Sequence, residues 1–336
     1  MNNIYFYTFN IMRFIKVLNS NILRVVESFD TDRFFYYGIA ILLVIFYHAL
    51  CFGHSFLAFK VFKYGYIGVD IFLFFSGYGL CYSYEKSKLI NFYKKRVFRI
   101  IPLFVIYASF KSVILSTIGK ETLSVWDWFC NLTTLSYYQI GGVFIDWYLC
   151  ALLLLYIIFP IFRDFAKRTR LIGVITITIS CYWILTCFDI SWTHQCLIGR
   201  LPIFYLGILM YDSTRNNVID LKSIKALLCL FFLFGIISIL TDANKFLITT
   251  LISPFLLFFS YFLIDKKVQI VKRILTYLGS KSLEIYLGNC TALTLIRYIE
   301  ETTMIEYLYY FVITILSSII YIKLNDVLKN ALINTK

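Results

Sequence analysis

Charge is what this sequence has least of. Only 15% of its 336 residues are Asp, Glu, Lys or Arg, against 60% hydrophobic. A soluble domain of that size buries a core, but it does not need apolar runs such as "IPLFVIYASF", "CALLLLYIIFPIF" and "FFLFGIISIL". Histidine is scarcer still: there are three, scattered, so they offer no ligand set and no metal is expected. The nine cysteines form no CxxC pair, which leaves neither a metal knuckle nor a disulfide framework; they read as small apolar packing residues. Gly/Ser linkers, repeats and low-complexity tracts are missing, so one membrane body is expected with no appended soluble domain.

The apolar runs are what remain. Each belongs to a window of about 17 to 22 residues with few or no charges, the length a helix needs to cross a bilayer. The expected fold is all-α, a polytopic membrane helix bundle of about ten spans: 37–53, 65–83, 100–118, 142–162, 171–188, 196–211, 226–241, 247–264, 276–298 and 304–323. The net charge of +13 does not point to nucleic acid, because the bases gather in alternate loops. Lys86, Lys88, Lys94, Lys95, Arg96 and Arg99 fall between spans two and three, and Arg163, Lys167, Arg168 and Arg170 between four and five. Arg215, Lys222 and Lys225 follow span six, and Lys266, Lys267, Lys272 and Arg273 follow span eight. The positive-inside rule puts those loops and both termini in the cytoplasm and the protein in the cytoplasmic (inner) membrane. Fewer bases (Lys60, Lys63, Lys120, Lys245) and acids such as Glu300 and Glu301 lie opposite.

Residues 1–31 lack a small-residue cleavage site after an apolar core, so they do not read as a signal peptide. Ile11, Phe14, Ile15, Leu18, Ile22, Val25, Val26 and Phe29 recur at helical spacing with Arg13, Lys16 and Arg24 between them. That suggests an amphipathic helix on the cytoplasmic leaflet, or a flexible leader, ahead of a membrane domain over 32–325 and a tail over 326–336.

A few polar residues stand inside the apolar runs. His48 lies eleven residues after Tyr37, a rise of roughly 16 Å into span one. An ionisable group at that depth is costly and marks function. Asp70, early in "GYIGVDIFLFFSGYG" of span two, is a candidate to orient the imidazole as a general base; a buried histidine bonded to a backbone carbonyl is the bland alternative. In "NFYKKRVFRIIP", Arg96 and Arg99 share a helix face beside Lys94 and Lys95. That cluster suits nucleotide phosphates, anionic lipid headgroups or a topology anchor. Arg200 in "GRLPIFYLGIL" and Glu284 in "GSKSLEIYLGN" face the bundle interior, as structural partners or as cavity lining. The segment 120–148 carries Trp126, Trp128, Tyr137, Tyr138, Trp147 and Tyr148 with Asp127 and Asp146, a set suited to a sugar and equally to an interfacial aromatic belt.

Six stretches, in order, resemble the integral-membrane acyltransferase family 3: "GIAILLVIFYH", "GYIGVDIFLFFSGYGL", "FYKKRVFRIIPLF", "DWYLCALLLLYIIFP", "RLPIFYLGIL" and "LGSKSLEIYLGN", spanning about 33–323. The family's members move acyl groups onto cell-surface sugars and other acceptors. The resemblance implies a span-one motif of arginine, ten residues and histidine, matched at its end by His48. It also implies a basic R-x-x-R pair, matched by Arg96 and Arg99, that binds a cytoplasmic acyl donor expected to be acetyl-CoA. The chain departs from the pattern twice. Tyr37 stands at the motif arginine, and Asn289 stands where a histidine often follows "IYL". Arg33, one turn before Tyr37, lies with positions 37 and 48 within about 60° on a helix advancing 100° per residue, and its long side chain can reach the vacated place.

The function expected from that resemblance is a membrane O-acyltransferase, most simply an O-acetyltransferase. It would use acyl-CoA, held by Arg96, Arg99, Lys95 and Arg33, and acylate a hydroxyl of a surface polysaccharide or its lipid-linked precursor. His48 with Asp70 would be the base or the acyl carrier; Tyr37, Arg200, Glu284, Asn289, Trp147 and Asp146 would line a cavity or meet the acceptor. The alternatives are a polysaccharide exporter of the poly-N-acetylglucosamine kind, recognisable by a continuous polar path, and an inactive homologue.

Overall fold

The computed structural model describes residues 19–49, 57–138, 146–214, 220–262, 269–298 and 304–334. Helix α1 covers residues 19–31 and α2 Arg33–Ala49; a 3₁₀ stretch, Leu57–Ile67, leads into α3, Gly68–Glu85. There follow α4 Leu89–Thr117, the short α5 Val125–Leu132, α6 Trp147–Thr169, α7 Leu171–Cys187, the short α8 Trp192–Ile198 and α9 Leu201–Thr214. The chain ends with α10 Leu221–Leu240, α11 Lys245–Phe262, α12 Gln269–Ser280, α13 Ser282–Ile296 and α14 Met304–Asn334. No strand occurs among the described residues.

Lipid cannot hydrogen-bond a backbone, so apolar segments close their N–H and C=O groups internally as helices. Where the residues are described, the expected spans overlap these helices, 196–211 lying across α8 and α9 and 276–298 across α12 and α13. Among the described residues six stretches are long and apolar enough to cross a bilayer: Phe62–Glu85, Leu89–Thr117, Trp147–Thr169, Trp192–Thr214, Leu221–Leu240 and Glu306–Ala331. Three apolar helices, Arg33–Ala49, Leu171–Cys187 and Lys245–Ser260, are shorter. The protein is a polytopic helical membrane bundle.

Helix α3 is its axis, 83% of its apolar window being covered by protein. Two glycines facing each other let α3 and α9 approach. A Cβ on Gly77 would stand 2.2 Å from the Phe204 carbonyl oxygen, and one on Gly207 would stand 2.1 Å from that of Phe74. Small residues at such crossings are how helices gain packing in lipid, where no hydrophobic force draws them together. Gly207→Ala should therefore cost at least the ~1–3 kcal/mol of an overpacked core. The expected readout is a lower melting temperature of the detergent-extracted protein; unchanged melting would show that the crossing is looser than drawn.

Two expectations change. The stripe that suggested an interfacial helix is covered by protein over α1: Ile22, Val25, Val26 and Phe29 are buried. The Phe29 ring meets Tyr36, Phe74, Phe75, Tyr78 and Phe258 edge-on, with centroids 5.2–6.3 Å apart. A periodic apolar face fits a membrane surface or a cleft equally well, and here α2, α3 and α11 supply the cleft. Ile11, Phe14, Ile15 and Leu18 lie outside the described residues, as do Cys51, Arg215, Lys266, Lys267, Glu300 and Glu301.

Arg163 is not a loop base. Helix α6 runs two turns beyond the expected end at 162, which carries Arg163 inside the bundle at 1% exposure. There its guanidinium donates twice to Asp212 (both 2.6 Å) and once to Glu85 Oε1 (2.9 Å), while the Tyr211 hydroxyl donates to Glu85 Oε2. This network ties α3, α6 and α9 together.

A candidate donor cavity leading to a histidine chamber

Two spaces open along the bundle between α2, α3, α6 and α13, and one side chain, Tyr286, borders both. The larger, of about 370 Å³, lies at the end of the bundle where the bases gather. That volume is within the ordinary range for a small-molecule site. Arg33, Lys86, Lys95, Arg96 and Arg99 line it, and no carboxylate does among the described residues. Five cations converging without a counter-charge is an unfavourable arrangement that an anionic ligand relieves.

Local geometry explains how the cations come together. Arg96 and Arg99, three residues apart, sit about two to three turns into α4. The Arg96 guanidinium lies between the Phe92 and Tyr156 rings, 5.7 and 5.8 Å from their centroids, with its Nε buried and unpartnered. Arg33 opens α2 and extends over α3 where Gly79 leaves room: a Cβ there would lie 3.3 Å from the Arg33 guanidinium. Lys86 curls over the Tyr82 ring and donates to its hydroxyl. All four sequence-expected donor-binding residues, Arg33, Lys95, Arg96 and Arg99, therefore border one space.

Deeper in, the lining turns aromatic. Tyr37 meets Phe72 at 5.4 Å, Phe72 meets Tyr148 at 6.2 Å, and Tyr148 meets Tyr286 edge-on at 5.2 Å. Tyr37, which stands at the motif arginine, is thus part of this aromatic wall, one turn above Arg33.

Beyond Tyr286 is the smaller space, about 40 Å³, bordered by His48, Val44, Tyr66, Val69, Trp147, Trp192 and Arg200 among others. Here the expected His48–Asp70 pair is corrected. Asp70, fully buried, forms an ion pair with Arg200 (Nε to Oδ1, 2.9 Å) and accepts from the Thr250 hydroxyl at 3.0 Å. The reason is helix phase. Gly68 presses on the Ala40 carbonyl of α2, 2.4 Å from where its Cβ would be, so Asp70 at 200° further round faces away from α2.

The partner of His48 is Asn289. Its Oδ1 lies 2.6 Å from the imidazole Nδ1. The bonds beyond it fix the polarity. The Ile45 carbonyl only accepts, so the Tyr310 hydroxyl donates to it at 2.7 Å, leaving the phenol oxygen to accept from the Asn289 amide nitrogen. The amide oxygen must then face His48, Nδ1 must carry the proton, and Nε2 is the nitrogen with the free lone pair. The second departure from the family pattern is therefore the residue that sets the imidazole tautomer.

The other candidates separate. Arg200 borders the chamber, its guanidinium 4.8 Å from the Phe246 centroid and 5.3 Å from that of Trp147, and it also donates to the Cys196 carbonyl. Trp147 borders the chamber as expected of a cavity residue. Asp146 caps α6 by accepting from the Leu149 N–H (3.0 Å) and also accepts from the Tyr286 hydroxyl. Glu284 takes the structural alternative: buried at 4%, it accepts from Asn325 and clips α13 to α14. In the aromatic segment 120–148, Tyr137 is buried while Trp126 and Tyr138 are exposed. Ser124 and Asp127 there form a capping box that holds the Asp127 carboxyl below its usual range. One residue was passed over: Lys111, a lysine inside α4, 5.9 Å from the Tyr107 centroid and in the field of Asp146. The rule that singles out His48, an ionisable group in an apolar span, applies to it unchanged.

The family model of the acyltransferase domain, family 3, matches residues 38–323. The chain belongs to this family. No curated protein and no solved structure matches it. It is a multi-pass membrane acyltransferase, and the matched region holds His48, Asn289, Arg96 and Arg99, while Arg33 precedes it.

Proposed function

We propose that this acyltransferase takes an acyl group, acetyl in the simplest case, from acyl-CoA at the basic end of the bundle. It passes the group to a hydroxyl of a surface polysaccharide or its lipid-linked precursor. The observation that carries this reading is the cavity with five cations and, among the described residues, no carboxylate, whose aromatic inner end meets the wall of the His48 chamber. Coenzyme A matches that gradient, with phosphates at one end and an uncharged arm ending in the thioester. From Arg33 to His48 the helix rises roughly 22 Å, so a donor anchored by its phosphates at the mouth must extend its arm inward to react.

At the chamber, Nε2 of His48 takes the proton from the acceptor hydroxyl as its oxygen attacks the thioester carbonyl. The coenzyme thiolate leaves and recovers that proton from the imidazolium. Asn289 accepts from Nδ1–H throughout and stabilises the charged ring. If the acyl group first rests on the imidazole, the same nitrogen carries it. Arg200, held by Asp70, presents a fixed positive charge beside the place where the carbonyl oxygen becomes negative. The aromatic lining between the cavity and the chamber supports the enzyme over an exporter, whose mark would be a continuous polar path.

Purified protein in lipid vesicles with labelled acetyl-CoA and the surface glycan tests the reading by ester-linked label on the sugar. Arg96→Ala or Arg99→Ala should raise the donor KM about tenfold or more, since a charge-assisted contact contributes ~1.5–3 kcal/mol. An unchanged KM together with poor membrane insertion would make the two arginines topology anchors.

A further inference from the structure

Tyr286 occupies a position that the reading above does not use. It borders both the basic cavity and the His48 chamber, and among the described residues lining them it alone does so. Its place follows from one helix face. Ser282, Tyr286 and Asn289 are spaced i, i+4, i+7 on α13; Ser282 lines the cavity, and Asn289 holds the imidazole. Tyr286 is therefore one turn below the residue that orients His48. Three contacts hold its ring across the route. The hydroxyl donates to Asp146 Oδ1 at 3.2 Å, long for an O–H···O bond, and shares a hydrogen bond with Cys290, while the ring stands edge-on to Tyr148. Asp146 is itself fixed as the cap of α6, so the phenol is moored to a helix end and not to a loop side chain.

We propose that Tyr286 is the selectivity partition of the donor site: a positioning residue that closes the chamber to the cavity and admits only the acyl end of the donor. The proposal rests on reading the cavity as the donor site. The chamber of about 40 Å³ has room for about three waters, at the ~10–15 Å³ that holds one, so a two-carbon acyl group fits it and a longer chain needs the ring displaced. Displacing the ring breaks its hydrogen bonds to Asp146 and Cys290 and its edge contact with Tyr148, so the barrier to a longer chain is built into the wall. The wall sets acyl length because it stands where the thioester must cross.

The test separates the partition from the donor reading. In inside-out vesicles carrying His48→Cys, the membrane-impermeant anionic reagent methanethiosulfonate ethylsulfonate is added outside, where the basic cavity opens. Labelling of the introduced thiol is followed by peptide mass spectrometry. Adding Tyr286→Ala should speed labelling at least tenfold, and Tyr286→Phe, which keeps the ring and drops the Asp146 bond, should give an intermediate rate. Equal rates in all three proteins, each with the same melting temperature, overturn the partition. Desulfo-coenzyme A, which lacks the thiol that would consume the reagent, added beforehand slows labelling in every variant if the cavity is the donor site; no protection with the Tyr286 ranking intact overturns the donor reading alone. With His48 restored, Tyr286→Ala should raise kcat/KM for butyryl-CoA relative to acetyl-CoA at least tenfold, and an unchanged ratio overturns the length-setting role.

Discussion

His48→Ala should lower acyl transfer by at least a hundredfold while leaving membrane insertion and abundance at the level of the unsubstituted protein. A positioned general base contributes typically 10²- to 10⁴-fold, and a covalent carrier contributes no less. The imidazole is not a packing residue that the bundle needs. It borders a space, and its polar contact beyond the chamber is one amide, so alanine widens the chamber without stranding a buried charge. Asn289→Leu is the companion variant. It keeps the side-chain volume but removes the acceptor that holds the proton on Nδ1, so kcat should fall with little change in donor KM. Ester-linked acyl groups on the glycan of cells carrying each variant are the measurement; normal acylation in His48→Ala cells would take the residue out of the mechanism.

What the amino-acid order disclosed and what it hid divide along a physical line. The spans were legible because lipid leaves a long apolar segment no structure but a helix, and the cation cluster because Arg96 and Arg99 are three apart on one such helix. The partner of His48 was hidden. Which carboxylate or amide reaches an imidazole depends on the rotation of neighbouring helices. That rotation is set by contacts such as Gly68 on Ala40, which nothing in the local pattern announces. Asn289, 241 residues away, could be noticed as a departure from the family motif, but its bond to Nδ1 follows only from the packing of α13 on α2 and from the Tyr310–Ile45 support behind it. Arg163 misled for a related reason. It sits in a basic run, "RDFAKRTR", which reads as a loop, yet the helix continues through that run and turns Arg163 inward to Asp212. Lys111, by contrast, was open to view in "YASFKSVIL" and shows that the rule for intramembrane charge is to be applied to every span.

The last expectation concerns Arg33, which lies at the cavity mouth one turn from the place of the family's arginine. Arg33→Ala should impair acyl transfer nearly as much as His48→Ala, and Tyr37→Arg introduced alongside it should restore a substantial part. Both side chains border the same cavity from the same face of α2, and Arg33 already reaches across to α3 through the gap left by Gly79. Moving the guanidinium up one turn shifts it about 6 Å toward the chamber, less than the reach of an arginine side chain that can bend back. The substitution costs something of its own, because Tyr37 packs on Phe72 and Phe75. Tyr37→Arg alone should therefore lose some activity. A double variant clearly more active than Arg33→Ala is then the signature of one site served from two positions, an interaction that a double-mutant cycle isolates. A solvated arginine at the bundle boundary would behave differently: Arg33→Ala would keep full activity, and Tyr37→Arg would add its own loss unchanged whichever residue stood at 33.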